Sequence, residues 1–539
     1  MAKAAKAANA ASAKNTNGGK LKLNLPLTIL TGFGFMGTSV AWMIYDPYVT
    51  RLLDRLLTAS PWVTEMSERL AGSAMLEGFM AAQGENAFAA GRFTLVPLFI
   101  GIIMTFDNIF GVIFQPLFGK LSDSCHSRWG KRRPFIFIGA PISALLFVLI
   151  PFMPSIPMLM VTVIFFVFVM SLWRSPVVAL MPDLTPPELR SQGNAIINLM
   201  GGLGGALGMG AGTVVTMIYL AVNGMSRDDP NYDEFATFPA VFAVGAAVMV
   251  IGMLVLRFFV QEKDSRLLSA GVLNARSAAE RKLAEKEAKR QDKLARKNMV
   301  LTRAERVSLI AMLGGLFFLF VGSNAIQTFF ALFAAEILHR DTAQATFLLL
   351  IFVLCSMASA VPAGWLGRKI GRKKTILIGL GIFLGAFVAF FVTFMLLNNT
   401  TGMSVNEYVA LNATDPGNSA VQQVAGVLDM LIMPVLVFAG IGSMMVTVNT
   451  LPLVLDIGGI DKVGTFTGYY YTATFSAQIA SPIAYGFYRM FSGTYLSLFY
   501  YVPVAFAISF LLILFVRHGE ALPQEVADEA EAAAEALKQ

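Results

Sequence analysis

The sequence is short of charge, histidine and cysteine. Only 14% of its 539 residues are charged, and it contains 3 histidines and 2 cysteines. Cys125 and Cys355 lie in different segments, so they form neither a disulfide framework nor a cysteine-based metal cluster. The chain also lacks metal-ligand spacings and a nucleophile elbow, which leaves nothing from which an active site could be assembled. We therefore predict a protein that is not an enzyme and that holds no metal and no cofactor.

Apolar residues are what the sequence has in excess. Hydrophobic residues make up 56% of the chain, and the mean hydropathy of +0.65 is outside the range of ordinary soluble domains. The net charge is +7, but the basic residues gather in short segments between apolar runs. This distribution is typical of a membrane-orientation signal and not of a nucleic-acid-binding face. We predict an integral membrane protein that contacts lipid and no nucleic acid.

Twelve apolar runs are long enough to cross a bilayer, because a helix of roughly 20 apolar residues spans about 30 Å of hydrocarbon. They predict an all-α membrane protein with twelve transmembrane helices in two six-helix bundles. The runs lie near residues 26–50, 94–118, 134–153, 157–181, 194–221, 237–260, 306–336, 344–366, 375–397, 427–453, 464–490 and 494–516.

Lysine and arginine concentrate in alternate loops, among them "GKLSDSCHSRWGKRRP" and "GRKIGRKK". The positive-inside rule therefore places both termini in the cytoplasm, and we expect the plasma (cell inner) membrane. The predicted domains are a cytoplasmic tail (1–25), a first bundle (26–260), a charged cytoplasmic linker (261–305), a second bundle (306–516) and a cytoplasmic tail (517–539).

The two halves of the sequence resemble each other. "GKLSDSCHSRWGKRRP" after span two has a counterpart in "GWLGRKIGRKK" after span eight. "LMPDLTPPELRSQGNAIINLMGGLGG" after span four has one in "LPLVLDIGGIDKVGTFTGYYYT" after span ten. Two related bundles of this kind surround a central site in transporters that work by rocking.

At these residues the chain resembles the major facilitator superfamily, whose pattern after span two is matched by Gly119, Leu121, Asp123 and, after a small insertion, Arg128, Gly130 and the basic residues 131–133. "QPLFGKLSDSCHSRWGKRRPFI" is similar to the glycoside-pentoside-hexuronide cation symporters, and most of all to their sucrose-transporter branch. "GTSVAWMIYDPYVTRLL" and "LRSQGNAIINLMGGLGGALG" resemble the same branch. The resemblance implies import of di- or oligosaccharides together with protons or sodium.

The matched pattern predicts a cytoplasmic gate formed by Gly119, Asp123, Arg128, Gly130 and Arg133. Asp123 can accept hydrogen bonds from a helix N-terminus or from the basic cluster 128–133 when the gate is shut. The alternative is a cluster that serves orientation only. In the second copy Arg368 replaces the acidic residue, so a matching latch is not expected there.

Charged residues inside spans are functional candidates by default, because each is costly unless it is paired or faces water. Asp107 lies near the middle of span two and Arg174 in the inner half of span four. Asp46 and Glu336 lie near outer ends, where an interfacial charge or an outer-gate hydrogen bond is the alternative. Asp183 and Asp456 lie at the cytoplasmic ends of their spans, where we expect them to pair with basic loops.

Arg174 is best interpreted together with Asp107. An arginine keeps its proton in a protein, so it needs a water-filled cavity or a carboxylate. We predict that Asp107, with Asp46, is proton-coupling, and that Arg174 is a counter-ion and a donor to sugar hydroxyls. The paired aspartates that hold sodium in melibiose-type permeases fall here at Gly111 and Gln115, which favours protons as the coupling ion.

A polyhydroxylated substrate is held by amides, hydroxyls and aromatic faces. Singly, each such residue is equally suited to a helix–helix hydrogen bond. Trp173 points about 100° away from Arg174 on a helix, so the two cannot both be central. The predicted substrate-binding set is Arg174, Trp173, Asn198, Asn324, Gln327, Asn449, Tyr470 and Gln478.

The function predicted from these features is proton-coupled symport of a sucrose- or maltose-like di- or oligosaccharide by alternating access, performed by a monomer. Two alternatives stay open. One is a uniporter or exporter of another polar solute or an organic anion drawn to Arg174. The other is a non-transporting sugar sensor.

Overall fold

The structure is a computed structural model that describes residues 23–73, 93–125, 127, 129–185, 189–261, 302–403, 405–415, 417–458 and 463–517. These residues are almost entirely helical. Their only β-type pairing is an isolated bridge between Ser127 and Gly130. The terminal tails and most of the predicted linker, at residues 262–301, lie outside the described residues.

The described residues form twelve long helices and two short ones. The long helices are α1 (Leu25–Thr58), α3 (Val96–Ser124), α4 (Arg133–Leu149), α5 (Ile156–Leu184), α6 (Arg190–Asn223), α7 (Phe238–Phe259), α8 (Arg303–Ile337), α9 (Thr342–Ile370), α10 (Arg372–Thr401), α12 (Ser419–Gly458), α13 (Val463–Ser492) and α14 (Leu498–Leu514). The short helices are α2 (Pro61–Ala71) and α11 (Val405–Thr414).

Each long helix coincides with one predicted span, so the twelve-helix all-α fold is confirmed. Of the helices in the described residues, 11 are long and apolar enough to cross a membrane. The remaining long helix, α13, has 30 residues, but tyrosines 469–471 and several threonines and serines lower its hydropathy. Its polar content is compatible with a helix that lies among other helices.

Proline and side-chain caps set several helix starts. Proline is in the first turn of α4, α5 and α7, where its missing N–H would have no helical partner and its fixed φ suits the helix. Helix α8 begins with a capping box in which Thr302 and Glu305 each bond the other's backbone N–H. These local signals fix where the helices begin.

The chain divides into two compact units. The first contains Met1–Leu56, Phe106–Ala284 and Thr342–Phe347, and the second contains Leu57–Thr105, Glu285–Asp341 and Leu348–Gln539. In the first unit α4 packs against α5 and α7. In the core of the first unit the Phe147 ring packs against the rings of Phe166 and Phe242 with the ring planes tilted.

In the second unit α10 packs on α12 and α14, and α8 packs on α13 and α14. Phe390 and Phe499 stack there with ring centroids 4.2 Å apart. The first half of α3 also belongs to this unit, where Gly101 lies so close to the Pro482 carbonyl that no Cβ would fit. This glycine lets α3 and α13 approach closely.

Candidate functional site

Three charged side chains come together inside the first unit. Asp46 is on α1, Asp107 on α3 and Arg174 on α5, and Asp107 interacts electrostatically with both of the others. All three side chains are half-buried. Among the described residues, none of the three forms an ion pair within 4.0 Å. The three charges are therefore close enough to interact, but no ion pair within the described part of the chain fixes their positions.

Asp107 has one carboxylate oxygen in use. Its Oδ1 accepts hydrogen bonds from the backbone N of Asn108 at 2.6 Å and from the Asn108 side-chain Nδ2 at 2.9 Å. No hydrogen bond from the described residues reaches Oδ2. One oxygen is thus held by the adjacent residue on α3, and the other is free for a proton, a cation or a solute hydroxyl.

Arg174 lies against an aromatic ring instead of a carboxylate. Its Cζ is 5.6 Å from the centroid of the Trp42 ring, a distance at which a guanidinium is attracted to the ring. Trp42 precedes Asp46 by four residues on α1, so the two side chains lie on one face of that helix. Tyr45 meets Trp42 edge to face, with centroids 5.5 Å apart.

Two polar atoms at this place have no hydrogen-bond partner among the described residues. They are the indole Nε1 of Trp42 and the hydroxyl of Tyr45, and both are buried. Buried polar groups are nearly always paired, so such atoms point to a functional role or a bound group. Sequence reasoning missed both residues, although the spacing of Trp42, four residues before Asp46 on one helix, was a usable signal.

Trp173 is placed differently from its neighbour Arg174. The side chain is completely buried, and its Nε1 donates to Ser143 Oγ on α4 at 2.8 Å. A Cβ on Gly139 would lie 2.7 Å from the Trp173 Cβ, so α4 and α5 pack tightly here. Its one polar atom is used within the bundle, which leaves Trp173 without a polar group for a substrate.

The other predicted substrate residues are divided between the units. Asn198 is exposed in the first unit, and Gln327 is exposed in the second. Gln478 and Asn324 are half-buried in the second unit, where Asn324 Nδ2 donates to the Phe320 carbonyl at 2.7 Å. Each of these side chains keeps polar surface that is open to solvent or a solute.

Asn449 and Tyr470 are buried and already bonded within the second unit. Asn449 Nδ2 donates to the Ala363 carbonyl on α9 at 3.2 Å and to the Met445 carbonyl on α12 at 2.8 Å. Tyr470 on α13 shares a hydrogen bond with the Thr450 side chain on α12. The Asn449–Ala363 and Tyr470–Thr450 contacts are the helix–helix hydrogen bonds that were the alternative for these positions.

A basic turn joins α3 to α4, and Arg132 is at its centre. The guanidinium pairs with Asp123, and its Nε donates to Asp183 Oδ2 at 2.9 Å. It also donates to Ser122 Oγ and to the Gly119 carbonyl. Burial alone would lower the pKa of Arg132, but Asp183 and Asp123 outweigh it and raise that pKa. The expected pairing of Asp183 with a basic loop is confirmed.

The remaining gate residues surround Arg132. Gly130 has φ 115°, a left-handed conformation that glycine permits. Gly119 faces α5, where a Cβ would lie 2.9 Å from Ser175 Oγ. Arg133 Nη2 donates to the Arg257 carbonyl at the end of α7 at 2.7 Å. Arg128 lies outside the described residues. Sequence reasoning did not single out Arg132 from its cluster.

The second half has a simpler version of this turn. Gly371, with φ 97°, precedes α10, and Arg372 pairs with Asp456 at the end of α12. The expected pairing of Asp456 is thereby confirmed. Because Arg368 stands where the first half has Asp123, the arginine here has one carboxylate partner among the described residues and not two.

Both carboxylate oxygens of Glu336 accept hydrogen bonds within the second unit. Its Oε2 accepts from Arg489 Nη2 at 2.9 Å. Its Oε1 accepts from Thr494 Oγ1 at 2.6 Å and from the Tyr495 backbone N at 2.9 Å. The hydrogen-bond alternative therefore describes Glu336, whose carboxylate ties α8 to the ends of α13 and the following turn.

This fold and these turns place the chain among known transporters. The sequence model of the Major Facilitator Superfamily matches residues 27–482 and 312–539. The chain belongs to that superfamily and is an integral membrane transporter of its type.

Two curated proteins match a shorter part of the chain. Sucrose transport protein SUC3 of Arabidopsis thaliana is 30% identical over 136 residues, which is 21% of this chain and 23% of that protein. The membrane-associated transporter protein of Homo sapiens is 30% identical over 130 residues, which is 21% of this chain and 24% of that protein. The similarity to sucrose transporters is confirmed at this level, over about a quarter of the relatives' length.

Solved structures agree on the fold. A D-xylose-proton symporter has a TM-score of 0.55 at 15% identity, covering 92% of this chain and 98% of that one. A bacterial homologue of the human lysosomal transporter Spinster has a TM-score of 0.55 at 10% identity, covering 92% of this chain and 97% of that one. At these identities the likeness shows a shared fold and no more.

Proposed function

We propose that this transporter is a proton-coupled symporter of a di- or oligosaccharide that works by alternating access. The observation that carries the proposal is the charge balance inside the first unit. Asp107 interacts with a second carboxylate, Asp46, and with one guanidinium, Arg174, and no ion pair within 4.0 Å holds the three together among the described residues.

The imbalance favours a bound proton. An unpaired charge in an apolar interior is expensive, and Arg174 can neutralise only one of the two carboxylates. One proton removes the excess negative charge, and the free Oδ2 of Asp107 offers a place for it. Asp107 is the proton site in this proposal, and Asp46 is the second carboxylate that sets the balance.

Arg174 has the aromatic ring of Trp42 as an interaction partner in addition to Asp107. Because its guanidinium lies over the Trp42 ring at 5.6 Å, Arg174 keeps a favourable contact when its attraction to Asp107 weakens. A sugar hydroxyl that accepts a hydrogen bond from Arg174 would compete with both partners. Substrate binding and protonation of Asp107 are then linked through the position of one side chain.

A sugar suits the polar groups near this cluster. The unpartnered donors of Trp42 and Tyr45 match hydroxyl oxygens, and an indole ring packs well against the C–H face of a sugar. The similarity to a sucrose transport protein supports the same substrate class. These features support the proposal together and not singly.

The experiment is uptake into proteoliposomes with the purified chain. Radiolabelled sucrose, maltose and a trisaccharide are offered under an imposed proton gradient, a sodium gradient or neither. We expect accumulation above equilibrium of at least one of the sugars, and only with the proton gradient. Accumulation driven by sodium, or mere equilibration in all three conditions, would refute proton symport.

An organic-anion carrier is the second candidate, and Arg174 is the observation that favours it. Because the guanidinium has no ion pair among the described residues, it could hold a carboxylate of the solute. Counterflow separates the two candidates. Sugars should exchange across the membrane in the symporter, whereas only anions should exchange in the anion carrier.

A further inference from the structure

A carboxylate holds the first turn of α9 within the first unit. Glu234 Oε2 accepts from the Thr342 backbone N at 2.7 Å and from Thr342 Oγ1 at 2.8 Å. Its Oε1 accepts from Arg51 Nη2 at 2.6 Å and from Arg51 Nε at 3.1 Å. Both oxygens are fully engaged, and the Glu234 side chain is only 12% exposed.

This network lies at the end of the unit opposite the basic turn. Glu234 precedes the start of α7, whereas the end of α7 supplies the Arg257 carbonyl that Arg133 binds. Arg51 is likewise in the last turns of α1. The network and the basic turn are therefore separated by the length of the helices.

The contact between Glu234 and Thr342 is a charge-assisted one, and the residues around it are closely packed. A carboxylate at a helix N-terminus meets free N–H groups and the positive end of the helix dipole, and charge-assisted hydrogen bonds are the stronger kind. Next to it, Thr213 Oγ1 donates to the Ala343 carbonyl at 3.2 Å. Gly212 leaves room for the Tyr48 hydroxyl, which a Cβ would strike.

The three residues come from both predicted halves of the sequence. Arg51 and Glu234 belong to the first half, and Thr342 begins a helix of the second. In alternating access the two halves separate first on one side of the membrane and then on the other. A bond between halves at one end must break each time that end opens.

We propose that Glu234 is a latch that stabilises closure of the transporter at this end by capping α9. In the closed state Arg51 orients the Glu234 carboxylate, and the backbone N–H and hydroxyl of Thr342 donate hydrogen bonds to it. Opening exchanges these bonds for water. The inference rests on the chain being a transporter and is independent of the solute and of the coupling ion.

The second unit supplies a matched control. Glu336 also caps a helical turn with both oxygens, through Arg489, Thr494 and the Tyr495 backbone N. All of these residues belong to the second half of the sequence. Its bonds therefore need not break during transport, and its loss should affect stability but not the balance between open and closed states.

The test measures how often the start of α9 becomes accessible. In a chain with Cys125→Ser and Cys355→Ser, Thr346→Cys introduces one thiol at a position that is completely buried. A membrane-impermeant maleimide is added from the side opposite the basic turn, well below the melting temperature. The labelling rate is compared in the parent and with Glu234→Gln, Thr342→Val or Glu336→Gln added.

We expect Glu234→Gln to raise the labelling rate about tenfold, because a weakened charge-assisted bond shifts the population toward the open state. Thr342→Val removes one of the hydrogen bonds, and we expect a rise of about threefold. Glu336→Gln should leave the rate unchanged. Parent-like labelling in both latch variants, or an equal rise with Glu336→Gln, would overturn the proposal. Thr342→Val keeps the test decisive if Glu234→Gln fails to fold.

Discussion

Charges are used differently in two regions of the molecule. In the second half three carboxylates are each paired with an arginine: Glu336 with Arg489, Asp429 with Arg340 and Asp456 with Arg372. In the first half Asp46, Asp107 and Arg174 lie near one another, yet no ion pair within 4.0 Å joins them among the described residues.

The difference separates two uses of charge. An ion pair in which one carboxylate binds several groups holds helices together, as Glu336 does with Arg489 and Thr494 at the end of α8. A charge without a fixed partner can change partners, which coupling requires. In the proposed mechanism the unpaired cluster of Asp46, Asp107 and Arg174 moves charge, and the paired charges of the second half serve structure.

The largest effect should come from removing the single cation of the unpaired cluster. Arg174→Gln leaves Asp46 and Asp107 with no counter-charge, and we expect gradient-driven sugar uptake to fall about 100-fold or more. Arg340→Gln is the matched control, because Arg340 is paired with Asp429 in the second unit. It should keep at least about half of the uptake rate. Equal losses in the two variants would erase the distinction between paired and unpaired charges.

A second prediction concerns stability, for which we expect the larger loss when a paired charge is removed and the smaller loss at the unpaired cluster. Glu336→Gln leaves the Arg489 guanidinium, which is only 7% exposed, without its carboxylate. We expect a loss of about 3 kcal/mol in the free energy of unfolding, seen as a lower melting temperature in detergent. Asp46→Asn should cost less than about 1 kcal/mol, because no ion pair is lost. A larger loss for Asp46→Asn would contradict the assignment of structure to paired charges.

The smallest predicted effect compares the two basic turns. Arg132 bonds two carboxylates and is 7% exposed, whereas Arg372 has one carboxylate and is 27% exposed. We expect Arg132→Gln to cost about 2 kcal/mol of unfolding free energy and Arg372→Gln about 0.5–1 kcal/mol. Thermal unfolding of the two variants side by side measures the difference. Equal costs would mean that Asp123 adds nothing to the first turn.

The helices could be predicted because long apolar runs have few alternatives in a membrane. The ends of the helices were predicted less accurately, because α1 continues to Thr58 and α12 begins at Ser419, beyond the apolar runs. Polar residues extend a helix past the hydrocarbon, and hydropathy does not register them. The pairing of Asp183 and Asp456 was predictable because both lie at helix ends beside basic turns.

The site could be predicted only in part. That Asp107 and Arg174 belong together followed from the cost of unpaired charge, but the meeting of Asp46 with Asp107 depends on how α1 and α3 rotate about their axes. One sequence does not fix that rotation. Trp42 could have been found from its spacing of four residues before Asp46. Which arginine of the cluster 128–133 reaches Asp123 depends on the left-handed turn at Gly130.

Sugar-driven proton movement tests the central claim most directly. A pH-sensitive dye is trapped in proteoliposomes, a sugar that the wild-type chain accumulates is added outside, and the internal pH is followed for the wild type and for Asp107→Asn. We predict acidification on sugar addition in the wild type and none with Asp107→Asn, which should still exchange labelled sugar by counterflow. Acidification of wild-type size in Asp107→Asn would contradict the assignment of the proton to this carboxylate.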